Sequence, residues 1–290
     1  IYVTEVPEGE DPDVVVAGAH TLARDTARYL TEFGIEPGLW EVDANLRPEG
    51  KDGALVRTLE SHLSYYQRWA KDWEFQALIK ARPLAGDQDL GERYRAALDP
   101  LIWEASSRPG FVEQVQRMRE RVSAHIPSHE VDYQIKLGPG GLRDIEFTIQ
   151  LLQLVHGAND DTVRDLDTLG ALESLARAGY VGRVEAAEFD RSYRTLRVLE
   201  HRIQLSQLKR SHLMPQEEEA IRVLARATKL ADNATDLVTL WRATQRSVRG
   251  LHERLFYRPL LSAVADLDEG DAELTSEQAE ARLQASGFTN

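Results

Sequence analysis

Apolar residues recur at three- and four-residue intervals through most of the chain after Thr58, and this periodicity constrains the fold more than any other feature. It predicts helices over 59–71, 73–82, 89–104, 110–125, 141–156, 165–178, 183–208, 216–231 and 235–257, and a short one at 259–265. In 141–156 the stripe runs Leu142, Ile145, Ile149, Leu152, His156, with Arg143, Glu146, Gln150 and Gln153 on another face. In 183–208 Tyr193, Leu196, Leu199 and Ile203 repeat it. Stripes of this kind form bundles, because a helix with one apolar face must bury it against another.

The first part of the chain reads differently. Ile1 to Val6 has strand character, Pro7 to Pro12 breaks it, and Asp13 to Phe33 is helical up to a capping Gly34. Leu39 to Asn45 reads as a second strand, with Ala54 to Arg57 as its hairpin partner, giving β-α-β-β. A further short strand is expected at Tyr133 to Leu137. The fold class is therefore α+β and predominantly helical. The expected division is 1–108, 109–262 for the bundle, and 263–290, an acidic linker with the start of a following segment.

Composition removes several function classes. There are no cysteines, which excludes disulfides, zinc-thiolate sites and a cysteine nucleophile. The net charge of −13 argues against a general nucleic-acid binder. No apolar run reaches the roughly 20 residues of a membrane helix. The eight histidines lack metal-ligand spacing, and His201, in a helix with Arg197 and Glu200, reads as solvated or ion-paired.

Against this acidic background three stretches carrying basic residues stand out, two of them marked by glycines. In Trp40-Glu41-Val42-Asp43-Ala44-Asn45-Leu46-Arg47-Pro48-Glu49-Gly50, one carboxylate precedes a tight turn. Asp43 is a candidate metal ligand or, more plainly, a turn-starting acid. Arg47 is a candidate phosphate ligand or an ion-pair partner of Glu49 or Asp52. In Trp73-Glu74-Phe75-Gln76-Ala77-Leu78-Ile79-Lys80-Ala81-Arg82, Lys80 and Arg82 are candidates to offset phosphate charge. The plainer alternative pairs Lys80 with Glu74 or Asp87 and assigns Trp69, Trp73 and Phe75 to the core. In Lys136-Leu137-Gly138-Pro139-Gly140-Gly141-Leu142-Arg143-Asp144-Ile145-Glu146-Phe147, a glycine loop opens a helix of mixed charge. Gly140 and Gly141 would aim amide groups at an anion beside Lys136 and Arg143, or the loop is only a capped helix start with an Arg143–Glu146 pair.

These stretches resemble one family, the bifunctional glutamine synthetase adenylyltransferase/adenylyl-removing enzymes that control bacterial nitrogen assimilation, in an actinobacterial-like form. The resemblance extends over roughly residues 1 to 262. It rests on Leu46-Arg47-Pro48-x-Gly50, on Trp-Glu-x-x-Ala-x-x-Lys-Ala-Arg, and on Lys-x-Gly-x-Gly-Gly-[Ile/Leu]-Arg-[Asp/Glu]-Ile-Glu-Phe, matched at 136–147. It implies a polymerase-β-type nucleotidyltransferase core with magnesium held by an Asp-x-Asp pair and a third Asp, which Asp43 matches. The pair is expected upstream of Ile1, so the chain reads as a fragment with an incomplete metal site. Lys136, Gly140, Gly141, Arg143 and Glu146, with Arg47, Lys80 and Arg82, are the implied nucleotide and phosphate contacts.

The resemblance further implies a cytoplasmic enzyme acting on glutamine synthetase, with ADP or ATP and phosphate as small ligands, and with the PII signalling protein as a further partner. Arg143 within the 136–147 motif points to the adenylyl-removing half. The alternatives are the half that moves AMP from ATP to a synthetase tyrosine, and a noncatalytic helical module docking glutamine synthetase or PII through 183–257.

Overall fold

A computed structural model describes residues 1–32, 41–208 and 210–257. It separates into two compact units, Ile1–Trp103 and a second beginning at Glu104. The expected helix at 259–265, the acidic stretch 263–290, Gly34, and Leu39 with Trp40 lie outside the described residues.

In the first unit, strand β1 (Tyr2–Thr4) leads into helix α1 (Pro12–Thr31) and returns as strand β2 (Val56–Thr58). The strands are parallel, pairing Tyr2 with Val56, Val3 with Arg57 and Thr4 with Thr58. A parallel pair needs a crossover, and α1 supplies it. Its start follows from Asp11, whose carboxylate accepts the Asp13 amide, and from Pro12 in the first turn. This corrects the expected hairpin: β2 pairs with β1, and Glu41 to Ala44 form no strand. The local reason is Arg47. Its Nη1, Nη2 and Nε donate to the carbonyls of Ala44, Lys51 and Gly53 at 2.9, 2.9 and 3.0 Å, folding 44–53 into a compact turn.

Helices α2 (Leu59–Arg68), α3 (Asp72–Leu78) and α4 (Gln88–Trp103) complete this unit. Thr58 caps α2 through the Ser61 amide. Helix α3 is shorter than expected. Arg95 Nη1 takes the Leu78 carbonyl at 2.8 Å and Pro83 follows closely, so Lys80 and Arg82 lie beyond the helix. Val56, Tyr66, Phe75, Ile79, Leu98 and Ile102 form the core. Among them sits His62, buried, stacked on Tyr66 and edge-on to Tyr94, with Nε2 3.4 Å from the Tyr2 carbonyl. Phe75 is core as expected, but Trp69 is 73% exposed and Trp73 half-buried.

The second unit is a bundle of α5 (Phe111–Ala124), α6 (Leu142–Gly157), α7 (Thr168–Arg177), α8 (Arg183–Gln207), α9 (Glu218–Thr228) and α10 (Ala234–Phe256). Asp167 caps α7 and Asn233 caps α10 through the Gly170 and Asp236 amides. Helix α6 is the central element, packed by α5, α7, α8 and α10. Its expected stripe is inside from Leu142 to Leu152, but so are Asp144, Glu146, Gln150 and Gln153, since a central helix has almost no solvent face. The expected strand at Tyr133 to Leu137 is reduced to a single antiparallel bridge between Gln134 and Leu213. Ile135 donates to the His212 carbonyl at 2.9 Å and Met214 to the Tyr133 carbonyl at 2.8 Å.

Among the described residues, no helix is long and apolar enough to cross a membrane.

Candidate functional site

The glycine loop and the start of α6 are fixed from beneath. Asp144 is buried, and its Oδ2 accepts the Gly140 amide at 2.6 Å while Oδ1 accepts Arg119 Nε at 2.8 Å. Arg119, also buried, gives a second bond to Oδ1, one to the Leu137 carbonyl at 3.1 Å and one to Ser123. On the other side Gly140, at φ +73°, lies against the backbone of α10. A Cβ there would stand 2.1 Å from the Gln245 carbonyl oxygen. Glycine is thus required twice over, by conformation and by close approach.

The amides of this loop are engaged internally. Gly141 donates to Gly138, Leu142 to Ile135, Arg143 to Lys136 and Asp144 to Gly141, at 2.9–3.1 Å. With Gly140 bonded to Asp144, the amides expected to face an anion are already partnered. The loop instead places two side chains, Lys136 and Arg143.

Those side chains enter a network that joins α6 to α8. Arg143 Nη1 bonds Glu146 Oε2 at 2.8 Å. Arg197 Nη2 bonds Glu146 Oε1 at 2.6 Å, and its Nη1 bonds Glu200 Oε2 at 2.6 Å. Lys136 Nζ bonds Glu200 Oε1 at 3.0 Å, with His212 Nδ1 3.3 Å from the same oxygen. Tyr193 accepts from Arg197 Nη2 at 2.8 Å and sets its ring beside the guanidinium. Three cations therefore surround two carboxylates.

Burial opposes ionisation of Glu200, but the nearby His212 and the hydrogen bonds from Lys136 and Arg197 prevail and hold it well below the usual carboxylate range. Burial likewise works against charge on Arg197, and Tyr193, Glu146 and Glu200 outweigh it, holding the guanidinium more firmly protonated than usual. The carboxylates are the inner layer, with side chains 8% and 2% exposed for Glu146 and Glu200. Arg143 is the outer one at 39%.

Lys136, Arg143 and Glu146 thus come together, with Gly140 and Gly141 as their support. The expected i,i+3 pair of Arg143 and Glu146 is present, as one edge of a larger array. Arg197 and Glu200 were not singled out from sequence as site residues. The signal was there: Glu200 sits at helical spacing between Leu196 and Ile203, and a carboxylate inside an apolar stripe requires a cationic partner. His201 itself is exposed.

The other candidates belong to the first unit. Asp43 is exposed, and its Oδ1 accepts the Asn45 amide at 2.9 Å, the geometry of a turn-starting acid. Arg47 is occupied by its three carbonyls, and Glu49 pairs with Arg57. Lys80 is half-buried and Arg82 exposed. Glu74 is buried and accepts from Tyr65 at 3.1 Å and the Lys71 amide at 3.0 Å, while Asp87 caps α4 through the Leu90 amide. Among the described residues no three His, Asp or Glu side chains are grouped to hold a metal ion.

Comparison with known proteins places these units within one lineage. Residues 110–256 match the family model for GlnD PII-uridylyltransferase, and residues 14–97 that for glutamate-ammonia ligase adenylyltransferase. Bifunctional glutamine synthetase adenylyltransferase/adenylyl-removing enzymes of Leifsonia xyli, Streptomyces avermitilis and Mycobacterium bovis are 62%, 54% and 51% identical over 99%, 100% and 96% of the chain. The chain spans 29% of the length of each.

Proposed function

The chain belongs to the family of bifunctional glutamine synthetase adenylyltransferase/adenylyl-removing enzymes, and on that premise we propose that it serves adenylyl removal. In this reaction an oxygen of inorganic phosphate attacks the phosphorus of the AMP–tyrosine diester on glutamine synthetase. The new P–O bond makes ADP, the P–O bond to tyrosine breaks, and the phenolate takes up a proton. Nucleotide, phosphate and synthetase are thus the proposed partners, in the cytoplasm, within a polymerase-β-type nucleotidyltransferase.

The observation that carries this reading is the setting of Arg143. It is the residue of the 136–147 motif that favours removal over transfer. It uses one N–H on Glu146 and keeps further donors at an accessible surface. Two phosphate anions must approach each other in the reaction, and a fixed guanidinium lowers their repulsion where charge accumulates. Lys136 adds a second cation of the same array.

Magnesium is the proposed cofactor, with Asp43 as one ligand. The described residues do not by themselves form its site: one exposed carboxylate in a turn falls short of the oxygen-rich coordination this ion needs.

The test uses a full-length relative in which this sequence replaces its counterpart. Incubated with adenylylated glutamine synthetase, it should release ADP only when phosphate is supplied. Pyrophosphate-dependent release of ATP that is lost on Arg143→Ala within this segment would assign the chain to the transferring half. Tight binding of the synthetase without nucleotide release would assign a docking module.

A further inference from the structure

We propose that the solvent face of α8 is a docking surface for an acidic stretch of the same chain, residues 263–290. The inference does not depend on the proposed reaction.

The face is both apolar and basic. Val184, Arg191, Val198 and Leu205 recur every seven residues and so form one row along α8. The helix packs on α6, α7, α9 and α10, with Phe189, Leu196, Leu199 and Ile203 buried. The row lies away from that core, with Val184 79% and Leu205 61% exposed. Arg183, Arg191 and Arg202 are also exposed and form no ion pair with the described residues. Asp190, the carboxylate nearest them on the helix, is taken by Arg194 at 2.9 Å. In a chain of net charge −13, this face therefore carries unneutralised positive charge between apolar side chains. Charge complementarity calls for an acidic partner, and the aliphatic row calls for one with apolar side chains, which a nucleic-acid backbone lacks.

Residues 263–290 meet both demands. They carry seven carboxylates and a single basic residue, Arg282. Leu267, Leu274 and Ala281 recur at the same seven-residue interval as the row on α8. Their point of attachment is close. Arg254 pairs with Glu185 at 3.9 Å, and Ser247 donates to Glu188, so α10 runs back along α8 and its last turn lies near the start of the face. At about 1.5 Å per residue α8 is about 37 Å long, and residues 258–290, even wholly helical, would span about 50 Å. The tether also supplies an effective concentration on the order of millimolar, at which surface contacts too weak to hold a free partner suffice.

The chain has no cysteine, so a pair can be introduced and joined without background. Ala187→Cys, exposed between Val184 and Arg191, is combined in turn with Ala265→Cys, Ala272→Cys and Ala279→Cys in the 290-residue chain. Intramolecular coupling by a short bismaleimide is then timed. At least one pair should couple about tenfold faster than the same pair carrying Arg191→Glu and Arg202→Glu, and about tenfold faster than in 1 M salt, where exposed charges are screened. Should the charge-reversed variant lose its helical circular dichroism, Arg191→Gln with Arg202→Gln takes its place. Neutralising the stretch instead, with Asp268→Asn, Glu269→Gln, Asp271→Asn and Glu273→Gln, should slow coupling by a similar factor while leaving α8 unchanged.

Rates within about twofold of the parent pair for both sets of changes overturn the docking. Slowing by only one of the two sets overturns it too, because the charges must act on each other. Coupling only between chains, rising with protein concentration, assigns the face to a second copy and likewise overturns it.

Discussion

Arg119 donates two hydrogen bonds to a single carboxylate oxygen of Asp144, and both side chains are buried. The other oxygen of Asp144 holds the Gly140 amide, so this pair ties α5 to the glycine loop and the start of α6. Removing one partner strands a buried charge. Arg119→Met should therefore lower stability by about 3–5 kcal/mol. Adding Asp144→Asn should cost much less than the sum of the two single changes. Denaturant unfolding measures both. A loss below about 1 kcal/mol for Arg119→Met would show that the pair is not the anchor described.

Gly140 supplies an internal comparison. Gly9 has the same backbone handedness, at φ +86°, but a Cβ there would meet nothing within 4 Å. Gly9→Ala should cost about 1–2 kcal/mol from backbone strain alone. Gly140→Ala adds a collision with the Gln245 carbonyl and should cost several kcal/mol, on the scale of overpacking a rigid interior. Equal losses from the two changes would contradict the close contact between loop and α10.

Acid should destabilise the first unit through His62. Burial is the main cause that pulls its pKa down from 6.5 to about 4. A base depressed in the folded state is protonated more readily in the unfolded one. Its contribution is constant above pH 6.5 and lost as pH falls from there toward 4, at up to about 1.4 kcal/mol per unit. His252 in the second unit, also depressed chiefly by burial, acts with the same sign. Stability of His62→Phe should therefore depend less steeply on pH between 6.5 and 4 than that of the parent, without becoming flat. An unchanged slope would mean that His62 titrates normally.

Asp43 offers a separation of fold from chemistry. Its carboxylate oxygen accepts one amide in an exposed turn, a bond that asparagine can also accept. Asp43→Asn should alter stability by no more than about 0.5 kcal/mol. In the full-length chimera it should reduce adenylyl removal on the order of 10²–10³-fold or more, as expected when a charge-stabilising group is lost. The 290-residue chain alone should show no magnesium-dependent removal. Near-normal turnover by the folded variant would end the metal-ligand role.

Helical periodicity made the bundle legible: among the described residues of the second unit all six α-helices lie within a few residues of their predicted spans, because burial of one stripe dictates both helix and face. The pairing of the short strands was not, although both fall in or beside stretches with strand character. Three residues of β1 and three of β2 carry too little pattern to announce a parallel pairing across more than fifty residues. The compact turn at 44–53 depends on one guanidinium finding three carbonyls, which spacing does not encode. Lys136, Arg143 and Glu146 could be marked from local motif chemistry. Arg197 and Glu200 come from another helix, and only the packing of α8 on α6 brings them in.

The central claim is that Arg143 serves phosphate and not only the Glu146 pair. It is tested most directly by measuring the phosphate dependence of ADP release for Arg143→Ala in the full-length chimera, together with its thermal midpoint. A raised apparent KM for phosphate or a lowered kcat is predicted, with a midpoint change no larger than loss of an i,i+3 pair brings, about 0.2–0.5 kcal/mol. Unchanged kinetics with that same small stability loss would reduce Arg143 to a surface ion pair and contradict the account.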